Sequence, residues 1–472
     1  MLSEMSIPEA GISRRMSGDW NRRAKSDARY YVALGRKSQS WQDFFRGGEE
    51  LVRSLEKELG RISTTTAQGE RSALEIGCGP GRLMLPLSAH FREIHGVDVS
   101  ERMVRLAQRN LAGIANAHAH ATSGTNLQRF EDQSFDFVYS YAVFQHIPSR
   151  EIVFNYLTET RRILRSGGVA RMQFNSLEGI SGKYDTWSGV RFKAGEIAAF
   201  ARQHDMQLLA LEGAGTQYMW GTFVKRPSGW FDSLERSPDG RSSLAIRRIT
   251  SAESSAPVVP ARGRYAAFAL WAEGLPADAD LNTLQIEVAG RDSRITCIGI
   301  PHRDGLQQVT ALLPQGLESG LQPVRLIWAN TTLGSENFLR VVPPPPEVPR
   351  IVSVTDAVCV GGGTMISSNR LRISLEESHR PEDLRVTANG KSIPRTSFLL
   401  SVPDIPSSKL ISGFLRAPQR GRSCWNAGKD AATWGLGRSS SITSGSGGNS
   451  FRRSASSCGN ARRETRGSYT GS

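Results

Sequence analysis

One stretch limits the fold more than any other. Leu74-Glu75-Ile76-Gly77-Cys78-Gly79-Pro80-Gly81 reads as a short apolar strand with an acid near its end, running into three alternating glycines and then a helix. Glycines there let the backbone turn sharply and approach a ligand where a Cβ would stand in the way. The next strand ends in Gly96-Val97-Asp98-Val99-Ser100, which puts an acid seventeen positions past Gly81. Such an acid can accept both hydroxyls of a ribose, a device used in open α/β nucleotide sites. The order of strand, glycines, helix, strand and acid carries the signal, since each part alone is common.

The surrounding pattern fits an open sheet. Between Arg71 and Arg226 strands alternate with helices: Ser72–Ile76, Ile94–Val99, Ala115–Ala121, Phe135–Ser140 and Val169–Phe174 read as strands, with helices notably over Glu101–Leu111 and Glu151–Leu164. Such alternation implies a parallel sheet covered by helices on both faces. After a helix over Gly195–His204 come two closely spaced strands, Met206–Glu212 and Tyr218–Lys225. The link between them is too short for a crossover helix, so they should pair antiparallel. The expected fold is therefore α/β, a doubly wound, mostly parallel, seven-stranded sheet over residues 61–230. A helical segment over 1–60 precedes it, with Trp20, Tyr30, Tyr31 and Trp41 as candidates for a lid or for plain packing on the sheet.

Composition removes several classes. The five cysteines are scattered without C-x-x-C pairs or ligand spacing, so neither a disulfide framework nor a zinc site is expected. The N-terminus lacks an apolar core of a signal peptide, and no run of about 18 apolar residues occurs, so no membrane span and a cytoplasmic location are expected. The net charge of +14 looks like a nucleic-acid signal until it is located. About +8 of it falls after Ile411, and the rest is spread thinly, so no nucleic-acid partner is expected.

LEIGCGPGR and HGVDVS resemble the first two motifs of the class I S-adenosylmethionine-dependent methyltransferases. SFDFVYSYAVFQHI is similar to that family's fourth-strand segment, and ILRSGGVARMQF to its fifth. The resemblance covers about residues 70–225 and implies S-adenosyl-L-methionine as cofactor. It implies that Glu75 and the loop with Gly77, Cys78, Gly79 and Gly81 hold the methionine end. Asp98 would bind the ribose, with Val99 beside it, and Asn126 stands where the family often has an acid beside the adenine amino group. Tyr139 or Tyr141 can present an aromatic face to a sulfonium. His146, just past the fourth strand, can take the acceptor's proton as a general base or cap the following helix. Tyr184 and Trp187 lie in a connection placed over the acceptor pocket. Methyl transfer is an in-line displacement, and the acceptor expected is a small molecule or glycan, because no N-P-P-Y-like signature follows the fourth strand.

Two rival functions make different demands. A nicotinamide oxidoreductase would carry G-x-G-x-x-G and a Tyr-x-x-x-Lys or similar pair; here the third glycine comes one residue early and no such pair is found. A binding protein built on a decayed methyltransferase domain would have damaged glycines or a lost ribose acid, and both are intact.

From about Arg248 the texture changes to short strands with Pro and Gly turns, which suggests β-sandwich modules of an immunoglobulin-like or IPT-like kind. Arg248–Ala252 echoes Arg350–Val354, and Leu281–Arg291 echoes Asp383–Lys391. One module is expected over 245–342 and a second, incomplete one over 347–408, joined at the stiff Pro343–Pro346. Residues 409–472 lose alternation and are rich in Ser, Gly and Arg, with Trp425 and Trp434 among them. They read as out-of-frame translation or as a natural disordered tail.

Overall fold

A computed structural model describes residues 7–33, 39–177, 184–236, 244–263, 265–328 and 331–344, and beyond them the backbone of nine strands between Arg350 and Arg438. The chain opens with α1 (Ile7–Ala33) and α2 (Trp41–Leu59). Asp27 breaks α1, its backbone leaving the helical region at φ −165°, ψ 91°. Its carboxylate accepts the Tyr30 N–H at 3.2 Å and so starts the last turn in a new direction. Ser40 caps α2 by accepting the Asp43 N–H at 3.0 Å.

The alternating region follows: β1 (Ser72–Ile76), α3 (Met84–Leu87), β2 (Glu93–Asp98), α4 (Glu101–Asn110), β3 (Ala117–Ala121), β4 (Phe135–Ser140), α5 (Arg150–Ile163), β5 (Leu164–Phe174), α6 (Ala194–Gln203), β6 (Met206–Glu212), β7 (Met219–Lys225) and α7 (Trp230–Arg236). The sheet runs β3-β2-β1-β4-β5-β7-β6. Its first five strands are parallel, and β7 pairs antiparallel with both β5 and β6. Covered on both faces, the central strands are largely buried; all six residues of β4 are, Asp136 and Ser140 among them. One core packs Leu74, Val138 and Met172 with α5 and α6, and another packs Ala73, Phe137 and Val169 with α2 and α3. No helix among the described residues is long and apolar enough to cross a membrane.

The sheet does not stop at seven strands. The region after α7 contributes β8 (Ala245–Ser251), β9 (Val258–Pro260), β10 (Ala267–Glu273), β11 (Leu284–Val288), β12 (Arg291–Ser293), β13 (Ile295–Ile298), β14 (Leu306–Leu312), β15 (Gly320–Trp328) and β16 (Thr331–Val342). Strand β13 pairs antiparallel with β6 at Cys297 and Ala210, so β13, β14, β10 and β8 extend the sheet to eleven strands. The other five form a second sheet, β12-β11-β15-β16-β9. Residues of both sheets, such as Phe268 and Leu270 against Ile286 and Leu326, share one apolar core.

The expected seven-stranded sheet is thus corrected to a continuous one, for a physical reason. Alone, β6 would be an edge strand with a row of unpaired backbone groups. The junction supplies partners: Leu281 N–H donates to Leu208 O at 2.9 Å, and the fully buried Asp280 accepts the N–H groups of Leu208, Asn282 and Thr283. Gln207 Nε2 adds bonds to Ala277 O and Ala279 O.

Farther on, Arg350–Asp356, Arg370–Glu376, Leu410–Arg416 and Arg395–Ser401 form a four-stranded sheet, and Trp434–Arg438 pairs with Leu384–Ala388. Of the tail expected from 409, residues 439–472 lie outside the described residues.

Candidate cofactor and acceptor site

The glycine loop is tied to the neighbouring strand at its first step. The N–H groups of Gly77 and Cys78 both donate to Val97 O, at 2.7 and 3.0 Å. Gly77 has φ +74°, and a Cβ there would come 2.2 Å from Val143 Cγ2, so only glycine fits. Asp98, at the end of β2, closes the loop. Its Oδ2 accepts the Gly79 N–H at 2.9 Å, and its Oδ1 accepts the Ser100 N–H at 2.8 Å. Each oxygen keeps a further lone pair for a ligand donor. Burial raises the carboxyl to a pKa of about 6, against the two N–H groups that lower it.

Glu75 reaches the same space from β1. Its Oε2 accepts the Tyr139 hydroxyl at 2.9 Å, and burial raises its pKa well above the carboxylate range. The two candidate tyrosines therefore separate. Tyr139 is fully buried behind Glu75, whereas Tyr141 lines the cavity with its ring stacked on Trp220 at 5.6 Å.

The cavity so formed has a volume of about 310 Å³. Glu75, Gly77, Cys78, Gly79, Asp98 and Val99 line one side. Met16, Trp20, Tyr31 and Val32 of α1 cover it, and Gln145, His146 and Gln217 stand at its walls. Gly81 is not among the lining residues; it makes the turn, with φ +81° and its N–H on Cys78 O at 2.9 Å. Asn126 does not line the cavity either: its Oδ1 accepts the Gln128 N–H at 3.3 Å, and Gly124 takes the wall position. Of the four aromatic residues proposed for the lid, Trp20 and Tyr31 reach the cavity, while Trp41 packs on Phe44 and Phe45.

His146 sits in an aromatic frame, 5.3 Å from the Trp20 ring and 5.4 Å from the Trp187 ring between centroids. Its Nδ1 lies 2.8 Å from Trp187 O, which can only accept, so Nδ1 carries the proton in the neutral ring. Nε2 then accepts from Gln145 Nε2 at 3.2 Å. Burial lowers the pKa to about 4, so the ring is neutral at pH 7. The alternative in which His146 caps the next helix is corrected: Ser149 is the cap of α5, accepting the Ile152 N–H at 3.3 Å. Trp187 and Tyr184 are about two-fifths exposed and do not line the cavity; Trp187 touches His146, which does.

Met16, Val32, Gln145 and Gln217 were not anticipated. Three of them come from α1 and the β6–β7 link, where no spacing rule points to a ligand. Gln145 alone had a signal, as the neighbour of His146.

A family model described as a methyltransferase domain matches residues 73–168. A stretch of 132 residues is 29% identical to trans-aconitate 2-methyltransferase of Methylobacterium radiotolerans, covering 28% of this chain and 46% of that protein. Another of 100 residues is 30% identical to phosphoethanolamine N-methyltransferase 2 of Caenorhabditis elegans, covering 21% of this chain and 22% of that protein. The chain thus spans less than half the length of these curated relatives. Among solved structures, it is similar to Haemonchus contortus phosphoethanolamine N-methyltransferase 1 in complex with phosphoethanolamine and S-adenosylhomocysteine, at 15% identity and a TM-score of 0.37 over 51% of this chain and 57% of that one. The donor set suits such a cofactor: an open glycine cradle, a carboxylate with spare lone pairs, and aromatic faces for a sulfonium. Residues 73–168 are thus similar to a methyltransferase domain.

Proposed function

We propose that the chain is an S-adenosylmethionine-dependent methyltransferase acting on a small molecule or glycan. The observation that carries this reading is Asp98, poised at the cavity wall with one loop N–H on each oxygen and lone pairs to spare. The two curated relatives are named for small anionic acceptors, trans-aconitate and phosphoethanolamine, which favours the small-molecule class. Residues 245–342 are read as a β-sandwich module of immunoglobulin-like kind, and the protein as cytoplasmic.

When bound, the cofactor supplies a methyl group already activated by a sulfonium. The chain's own work is then alignment and exclusion of water. Asp98 accepts the ribose hydroxyls, and the Gly77–Gly79 backbone with Glu75 holds the methionine end. Tyr141 and Trp20 offer π-faces to positive charge. Helix α1 covers the cavity. His146, neutral at pH 7, takes the acceptor's proton at Nε2 by exchanging its bond from Gln145 for one from the acceptor. Calorimetry with S-adenosylhomocysteine and with NAD tests the reading. Micromolar S-adenosylhomocysteine binding is expected, and binding of NAD in its place would overturn it.

A further inference from the structure

A second cavity of about 370 Å³ lies beside the first, and Tyr31 lines both. It is rich in donors: Arg15, Arg22 and Arg23 on α1 face it together with the hydroxyls of Ser26 and Tyr31. Two carboxylates, Asp19 and Asp185, also line it, so the wall carries one more positive charge than negative.

Both carboxylates are already committed. Asp185 Oδ1 accepts the N–H groups of Trp187 and Ser188, each at 2.7 Å. Asp19 accepts the Thr186 hydroxyl, pairs with Arg22, and lies 4.0 Å from Arg15 Nε. Three guanidiniums bring about five N–H groups each, far more than these acids can take up. Arg23 is the built part of the site. It donates to Thr186 O at 2.8 Å and to Thr186 Oγ1 at 3.1 Å, and its guanidinium lies 4.6 Å over Trp20 and 5.2 Å over Trp187. Thr186 is itself buried, so Arg23 is held in place, while Arg15 and Arg22, both beside Asp19, have side chains 59% and 75% exposed. Trp20 belongs to the wall of the first cavity and touches His146, so one ring links this donor cluster to the first cavity.

We propose that the second cavity binds the anionic group, a carboxylate or phosphate, of the methyl acceptor, with Arg15, Arg22 and Arg23 as its recognition residues. Planar guanidiniums match both groups through paired, charge-assisted hydrogen bonds. The inference rests on the methyltransferase reading for the identity of the ligand as an acceptor.

The test uses the full chain, titrated calorimetrically with inorganic phosphate and with citrate, before and after saturation with S-adenosylhomocysteine. At least one of the two anions should bind saturably in the millimolar range or tighter, and should bind alongside S-adenosylhomocysteine. The Arg15→Ala/Arg22→Ala double substitution should weaken that binding at least tenfold while S-adenosylhomocysteine affinity stays within twofold, which also reports an intact fold. In a methyl-transfer screen the same double substitution should raise KM for carboxylate- or phosphate-bearing acceptors at least tenfold with little change in kcat. No saturable anion binding, anion binding indifferent to the double substitution, or turnover only of neutral acceptors would overturn the proposal. Failure of S-adenosylhomocysteine to bind would instead strike the methyltransferase reading, so the two failures are distinguishable.

Discussion

Asp98 and Gly79 are joined by a 2.9 Å hydrogen bond from the glycine N–H to the carboxylate, so the acid at the cavity wall also sets the loop beside it. Charge-assisted bonds contribute about 1.5–3 kcal/mol each. Asp98→Ala should therefore weaken S-adenosylhomocysteine binding at least tenfold without unfolding the protein. Calorimetry on the two proteins, with circular dichroism as the fold control, checks this.

The same carboxyl gives a pH dependence. With a pKa of about 6 in the free protein, it is mostly ionised at pH 7 and mostly protonated at pH 5. A protonated acid can no longer accept from both hydroxyls, so cofactor affinity should fall about tenfold from pH 7 to pH 5. The slope should flatten in Asp98→Asn. Binding isotherms across that range decide it.

His146 should separate turnover from binding. His146→Ala should lower kcat by about 10²-fold, while cofactor affinity changes less than threefold. Stability offers a second reading. The ring titrates near 4 in the fold, below the ordinary 6.5, so the unfolded chain binds the extra proton between those values. Its contribution is fully present above pH 6.5 and is lost as pH falls toward 4. Urea unfolding at pH 7 and pH 5 should show a smaller loss in His146→Gln than in the wild type.

Gly77→Ala should be costly in two separable ways. Its φ of +74° strains any L-residue, and the added methyl meets Val143 Cγ2 at 2.2 Å. Together these cost about 2–4 kcal/mol. Adding Val143→Ala should return the steric part and leave the backbone part, as denaturant midpoints of the single and double variants would show.

Much of this was readable from the chain. Mostly apolar runs such as Phe135–Ser140 mark strands buried on both faces, and the glycines with Asp98 place the cavity at their carboxyl ends. What escaped comes from contacts that leave no local period. Met16 and Val32 reach the cavity from either side of the break at Asp27 in α1, which no local pattern marks. Asn126 was expected at the wall where Gly124 lies, because spacing from a motif does not fix which residue of a short turn faces inward. The helix cap went to Ser149 rather than His146, a hydroxyl being the better acceptor there. Nor does strand alternation say which neighbour an edge will find. Strand β6 meets β13 at one end of the junction and, at Leu208, Asp280, an acid whose sequence surroundings mark only a turn.

That pairing bears on how the chain can be divided. Cutting the backbone between Arg236 and Leu244 would break the covalent link but leave the Leu208–Leu281 bond, the Asp280 carboxylate and the common apolar packing in place. The two fragments should then co-purify as a split protein. Asp280→Ala, which strands buried N–H groups at about 1–3 kcal/mol each, should be enough to let them drift apart.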